Sequence, residues 1–164
     1  MAVLEYLSHD HNEMDSLLTR ATATPGEIDP TLYGQFRKKL LRHISIEEKI
    51  VLPTIARLQG GKPSPIAERL RLDHGALTAL MVPSPTEAII KTIRSILKVH
   101  NPLEEDEGGL YRVLDNLAGE EAEQMTRKMK SFPEVPVRPH NDKPGVLEAA
   151  KRTVERAGHK FNDK

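Results

Sequence analysis

The chain has 164 residues, a length that fits one domain with an appendage. It contains no cysteine, which excludes disulfides, iron–sulfur clusters and a cysteine nucleophile. Lys plus Arg and Asp plus Glu balance at 24 each, which argues against nucleic acid or an anionic membrane surface as a partner. Apolar runs fall short of the roughly 20 residues of a membrane span. Since residues 1–11 are too short and polar for a signal peptide, a cytoplasmic protein is expected.

Apolar residues recur at helical spacing over the first part of the chain and predict two long helices. The first spans 3–21. The second begins at Asp29-Pro30, where the Asp is the expected N-cap and the Pro takes the first helical position. It is expected to bend or end at Pro53, since proline cannot donate a backbone hydrogen bond, with a last turn that reaches Leu58.

Two further helices are predicted after a Gly-rich break. Ser64-Pro65 is expected to cap the third, whose apolar stripe ends near Met81. The segment 84–87, Ser-Pro-Thr-Glu, has the form of a capping box and predicts the start of the fourth. Its stripe extends to Leu114, with a bend expected at Pro102.

The remaining chain is predicted to form an extension of this helical set. A short polar helix is expected over 119–131. Residues 132–144 contain four prolines and are typical of an extended linker, and a short helix is expected over 146–157. The prediction is therefore an all-α protein: residues 1–131 form an up-down-up-down four-helix bundle with a short extra helix, and 132–164 form a C-terminal appendage.

Each of the four predicted bundle helices carries a histidine within its apolar stripe, and two of them carry a glutamate four residues later. Residues four apart on a helix lie one above the other, so each His-x-x-x-Glu pair directs an imidazole and a carboxylate to one point. The inward-facing set is His11, His43, Glu47, His74, His100 and Glu104.

So many ionisable groups on inner faces predict a metal site, because each costs several kcal/mol when buried without a partner. Imidazoles and carboxylates without thiolates suit iron, manganese or zinc. Six ligands exceed the needs of one tetrahedral zinc ion. Two ions bridged by Glu47 and Glu104 use them well, with iron as the expected metal and manganese or a mixed pair as the alternative. The Glu-x-x-His motif of ferritin-type bundles is absent from these histidines.

The order of these residues resembles the hemerythrin-like, or HHE cation-binding, domain. The resemblance covers residues 1–118 and includes Asp10 beside His11 and Asp73 beside His74. It implies a non-haem di-iron centre with two bridging carboxylates and an oxo, hydroxo or water bridge, able to meet O2, peroxide or NO.

The chain departs from the oxygen-carrying members of that family. Those proteins use a fifth histidine one turn from the third-helix ligand, where this chain has Leu70 and Thr78 on either side of His74. The resemblance therefore implies an additional open or water-filled position on one iron.

For several residues near the site, the sequence leaves two interpretations open. The fourth-helix bridge is expected to be Glu104, with Glu105 as the alternative because Pro102 could shift the register. Glu48 is expected to be solvated or to support a ligand. Tyr111 is either a core residue or a contact of the site.

The expected function is binding of, or reaction with, O2, peroxide or NO, and redox turnover of peroxide or NO would make the protein an enzyme. The alternative is oxygen or iron sensing, or iron storage, without turnover. A protein partner could then bind through residues 132–164. His140 and His159 in this appendage are predicted to be solvent-exposed.

Overall fold

The computed structural model describes residues 1–163 and is all-helical, with no β-strand in that range. Lys164, the last residue of the predicted appendage, lies outside the described residues. None of the described helices is long and apolar enough to cross a bilayer. The helices are α1 (Ala2–Ala21), α2 (Pro30–Ile46), α3 (Leu52–Leu58), α4 (Ala67–Leu80), α5 (Glu87–Glu105), α6 (Leu110–Ala118), α7 (Ala122–Lys130) and α8 (Val146–Arg156).

The second predicted helix forms one helical run from α2 to α3, with a π-helical turn, Glu47–Val51, between them. Asp29 caps it as predicted: its carboxylate accepts the amide hydrogens of Thr31 and Leu32 at 2.9 and 3.0 Å. The irregularity expected at Pro53 is this π turn. Proline has no N–H to donate, which disrupts the regular hydrogen bonding of the helix. Turns of this π type are frequent at functional sites. Glu47 is the first residue of the turn.

The starts of α4 and α5 differ from the predicted caps. α4 begins at Ala67 rather than directly after Ser64-Pro65. The N-cap of α5 is Thr86, whose hydroxyl accepts the amide hydrogen three residues later at 3.2 Å. Ser84, the predicted cap, instead donates its hydroxyl to Asp142 at 2.5 Å. The capping-box pattern was therefore placed two residues too early.

The fourth predicted helix is two helices, because the chain breaks at 106–109 between α5 and α6. Gly109 is required at this break: a Cβ there would lie 2.7 and 2.8 Å from two backbone oxygens, one of them that of Glu104. The close approach brings α6 back toward the end of α5 and buries Tyr111 completely.

Two apolar clusters fill the interior, and the inward polar residues lie between them. In α1, His11 falls between Leu7 of one cluster and Met14 of the other, and in α4, His74 falls between Leu70 and Leu77 in the same way. α1 packs on α2, α6 and α7, whereas α4 packs on α5 and α8. The histidines therefore occupy a polar layer enclosed by apolar packing.

Candidate metal centre

The six side chains predicted to bind metal lie together and are buried, with exposed fractions of 0 to 6%. Their nitrogen and oxygen atoms form two groups, within each of which the candidate ligand atoms lie no more than 4.8 Å apart. Glu104 belongs to both groups. The first contains His11, His43 and Glu104, and the second contains Glu47, His74, His100 and Glu104.

Each central carboxylate contacts imidazoles from two helices. The Oε1 atom of Glu47 lies 3.3 Å from Nε2 of His43 and 3.3 Å from Nε2 of His74. Glu104 lies 3.0 Å from Nε2 of His100 through Oε2, and 3.1 Å from Nε2 of His11 through Oε1. The two His-x-x-x-Glu pairs thus meet as the helical spacing predicts, and both glutamates lie between the histidine pairs.

Unpaired buried atoms show that the second group suits a cation. Among residues 1–163, Glu47 Oε1, His74 Nε2 and Glu104 Oε2 are buried without a hydrogen-bond partner. His74 Nε2 is 3.3 and 3.7 Å from these two oxygens, close enough for charge interaction but not in hydrogen-bond geometry. Each unsatisfied polar atom costs about 1–3 kcal/mol. A metal ion is the partner that matches a nitrogen and two carboxylate oxygens together.

A second set of carboxylates holds the outer nitrogen, Nδ1, of all four histidines. Because an ionised carboxylate can only accept, each Nδ1 donates its hydrogen and each Nε2 is directed inward as a possible ligand. The pairs are His11 with Glu105 (2.6 Å), His43 with Asp10 (3.1 Å), His74 with Glu48 (2.9 Å) and His100 with Asp73 (2.9 Å).

These outer carboxylates follow a cyclic order around the centre. The acid of α1 contacts the histidine of α2, the acid after α2 contacts that of α4, the acid of α4 contacts that of α5, and the acid of α5 contacts that of α1. Each acid is the sequence neighbour of an inward ligand. Glu104 therefore lies inside the centre, whereas Glu105 lies outside it on His11. Glu48 supports His74, as one of its predicted interpretations required.

The central carboxylates favour protonated histidines. Burial alone would lower the pKa of His11, but Glu104 and Glu105 outweigh it and raise that pKa to about 10. Burial also opposes charging of His74, whereas the carboxylates of Glu104, Glu47 and Glu48 raise its pKa to about 12. The pKa of His100 rises to about 9, because Glu104 and Asp73 overcome burial.

The carboxylates respond in the opposite direction. Burial would raise the pKa of Glu104, but His100 and the other surrounding groups hold it well below its usual value. Burial likewise opposes ionisation of Asp73, whereas hydrogen bonds from His100, Arg69 and His159 lower its pKa to about 2. Without a metal, His11, His74 and His100 thus favour the imidazolium form, and ligation must release these protons.

Tyr111 contacts the site directly, so the second of its two interpretations is confirmed. Its hydroxyl lies 2.8 Å from Glu47 Oε2 and 3.0 Å from Glu104 Oε1, and donates to one carboxylate at a time. It is also 3.1 Å from Nε2 of His11 and 3.2 Å from Nε2 of His43. Burial and the charges of Glu104 and Glu47 raise the pKa of Tyr111 well above its usual value, so the hydroxyl keeps its proton.

One residue of the network was missed from the sequence. His159 was predicted to be exposed, and this is wrong: its side chain is 12% exposed, and its Nε2 donates to Asp73 Oδ1 at 2.8 Å. His140 is exposed as predicted. Helical spacing gave no signal for His159, because it follows α8 in an irregular segment.

Comparisons of the chain with models of protein families, with curated proteins and with solved structures gave no match. What the fold and the site define is a helical protein whose buried His/Glu cluster could bind a metal ion. The cluster is compatible with a hemerythrin-like site.

Proposed function

We propose that this chain is a hemerythrin-like di-iron protein that binds or reacts with O2, peroxide or NO. In this proposal its helices form an up-down-up-down bundle, and Glu47 and Glu104 bridge two ions. Manganese, or a mixed pair, is the alternative metal content. The histidine ligands are His11 and His43 for one ion, and His74 and His100 for the other.

The observation that carries the proposal is the convergence of six buried ligands whose outer contacts already orient them. All four histidines turn Nε2 inward while a carboxylate holds Nδ1. Metal-binding histidines generally have this arrangement, which fixes the ring and strengthens it as a ligand. The three unpaired atoms at Glu47, His74 and Glu104 give the same indication independently.

Two iron ions held by these residues would supply a redox-active centre with coordination positions open to a small molecule. The protein's own part is orientation, charge and exclusion of water. Glu47 and Glu104 supply two buried negative charges, and the apolar clusters on both sides limit access of solvent. Tyr111 holds a proton on its hydroxyl within hydrogen-bond distance of both carboxylates.

A cleft between α1 and α5 supports access by small molecules. It has a volume of about 330 Å³ and reaches His11 and Glu105. Its walls include the apolar side chains of Met14, Leu18, Phe36 and Leu97. A diatomic molecule or peroxide would thus approach the centre from the His11 side.

The experiment that tests the proposal is metal analysis of protein purified without chelators, followed by anaerobic reduction and separate exposure to O2, peroxide and NO. We expect two iron ions per chain and a change in the absorption spectrum with at least one of the three molecules. A protein that binds no metal, or a loaded centre whose spectrum is unchanged by all three, would contradict the proposal. Glu104→Gln, which removes the shared carboxylate charge, should bind less than one iron ion per chain.

Binding without turnover is the second candidate, and one contact favours it. Asp73, which holds His100, also accepts a hydrogen bond from His159 in the C-terminal segment. A change at the centre could therefore reach residues 132–163, where a protein partner could bind. Peroxide consumption tests the second candidate: catalytic turnover would contradict it, whereas a spectral change without turnover agrees with it.

A further inference from the structure

The C-terminal strap, defined as residues 146–163, is docked on the helix that carries His74. Its buried side chains join the apolar core cluster that contains Leu77 and Ile93. The backbone N–H of Asn162 donates to the hydroxyl of Thr92 in α5 at 2.8 Å. The buried strap residues are Ala150, Val154 and Ala157. The strap is therefore an integral part of the packing around the second histidine pair.

The strap shares a carboxylate with the metal centre. Asp73 is fully buried, and its Oδ2 accepts the Nδ1 hydrogen of His100 at 2.9 Å. Its Oδ1 accepts the Nε2 hydrogen of His159 at 2.8 Å. Arg69 completes the arrangement by donating to Oδ1 of Asp73 and to the backbone carbonyl of Ala157. Both oxygens of Asp73 are thus fixed, Oδ2 by a candidate ligand and Oδ1 by the strap together with Arg69.

We propose that His159 is a positioning residue of the metal centre: by anchoring Asp73, it fixes the ring of His100 with Nε2 toward the metal. This inference depends on the proposed di-metal site. It assigns to the strap a role in metal affinity, and it confines that role to the ion held by His74 and His100.

The effect is confined to the ion held by His74 and His100, because the corresponding contact of the other histidine pair does not involve the strap. Asp10 holds His43 as Asp73 holds His100, but the cation near Asp10 is Lys39, at 3.4 Å. Lys39 belongs to α2, so that contact does not involve the strap. Loss of His159 should consequently weaken the binding of one ion and leave the binding of the other unchanged. Because coupling between two sites is reciprocal, binding of that ion should also stabilise the docked strap.

The test is an anaerobic Fe(II) titration of the full chain in competition with a colorimetric chelator. His159→Phe keeps an aromatic ring but removes the donor, whereas His159→Gln retains an N–H at a similar reach. His140→Phe, at an exposed histidine that lies outside the strap, is the control. We expect His159→Phe to weaken the binding of one of the two iron ions by up to about 10-fold, no more than the loss of a direct outer contact to a ligand, because Arg69 still donates to Asp73. His159→Gln should recover most of that loss, and His140→Phe should match the wild type.

Hydrogen exchange provides a readout that does not depend on activity. Amides of the strap should be better protected with Fe(II) than without it in the wild type, and this difference should shrink in His159→Phe. If His159→Phe does not fold, His159→Asn, whose amide is too short to reach Asp73, replaces it in the comparison with His159→Gln.

Two results would overturn the inference while leaving the proposed function intact. One is that His159→Phe binds both iron ions with the same dissociation constants as the wild type. The other is an equal loss in His159→Phe and His159→Gln, which would assign His159 to packing alone. Failure of the proposed function looks different, because the wild type itself would then bind no iron.

Discussion

The two halves of the candidate metal centre use the same residue types but satisfy them differently. The first half contains His11 and His43, with ring centroids 4.7 Å apart, and the second contains His74 and His100, 5.0 Å apart. In the first, the two Nε2 atoms lie 3.1 Å from each other and both contact the hydroxyl of Tyr111. In the second, Nε2 of His74 has no hydrogen-bond partner within residues 1–163.

This difference teaches that similar ligands need not give equivalent metal positions. A cation in the second half pairs atoms that are otherwise unsatisfied. A cation in the first half must displace contacts to Tyr111 and between the two histidines, each worth about 0.5–1.5 kcal/mol. The carboxylates that raise the pKa of His74 to about 12 also attract the cation that replaces its proton. We therefore expect the second half to bind metal more tightly, by about 10-fold for each 1.4 kcal/mol of difference.

The largest effect is expected from Glu104, because it belongs to both halves. Glu104→Gln keeps the shape but removes the buried charge, and we expect iron content to fall below one ion per chain by elemental analysis. Glu105→Gln makes the same change one residue later, outside the centre, and should retain two ions with a weaker first half. Equal iron contents in the two variants would show that Glu104 is not shared.

Removing one histidine from each half tests the inequivalence itself. His74→Ala should leave one weakly bound ion in the first half, whereas His11→Ala should leave one tightly bound ion in the second. The dissociation constant of the remaining Fe(II), measured anaerobically, distinguishes the two. Identical constants in the two variants would contradict the difference between the halves.

The stability of the metal-free protein and its affinity for Fe(II) should depend on pH with opposite signs. The pKa values of His11, His74 and His100 are raised from 6.5 to about 10, 12 and 9. Since these folded-state pKa values lie above the unfolded ones, the protonated rings stabilise the metal-free fold fully below about pH 6.5. That contribution decreases as the pH rises and is lost through pH 9 to 12.

Denaturant unfolding at several pH values should show this loss for metal-free protein. Fe(II) affinity should rise over the same pH window, because ligation requires neutral imidazole. The affinity could increase up to about tenfold per pH unit for each proton released. A metal affinity independent of pH between 6.5 and 9 would mean that these histidines are not the ligands.

The smallest effect is expected from Tyr111→Phe, which removes only the hydroxyl. Without metal it leaves buried groups of the first half unpaired, so the free energy of unfolding should fall by about 1–3 kcal/mol. With iron bound the loss should be smaller, since the ion pairs the same atoms. The measurement is denaturant unfolding of both states.

Tyr33→Phe is the matched control for this change. Tyr33 is also buried, but within residues 1–163 its hydroxyl makes only a long contact, 3.9 Å, to the sulfur of Met81. Tyr33→Phe should lower the free energy of unfolding by a small amount that iron does not alter. If Tyr111→Phe loses the same amount with and without iron, its hydroxyl is not coupled to the metal position.

Helical periodicity was sufficient to predict the inner residues of the centre. The spacing of His43 with Glu47 and of His100 with Glu104 fixes their relative orientation within one helix, so their convergence followed from local geometry. The α2 cap at Asp29 was predicted for the same reason. Local patterns failed where two neighbouring polar residues compete for one role, as at Ser84 and Thr86.

Which histidine each outer carboxylate contacts could not be predicted, because this depends on which helices are neighbours. A single sequence places Asp10 beside His11, but only the packing of α1 on α2 brings it to His43. The one available signal was an acid directly beside one inward ligand in each of the four predicted bundle helices, at positions 10, 48, 73 and 105. His159 had no signal at all, since its contact depends on how the strap docks.

The most direct test of the central claim is a crystal structure of Fe(II)-loaded protein, with anomalous scattering measured at the iron edge. The account predicts two peaks, one beside His11 and His43 and one beside His74 and His100, with Glu104 contacting both. At limiting iron, the peak in the second half should be the stronger. An iron peak outside this cluster, or none at saturating iron, would contradict the account.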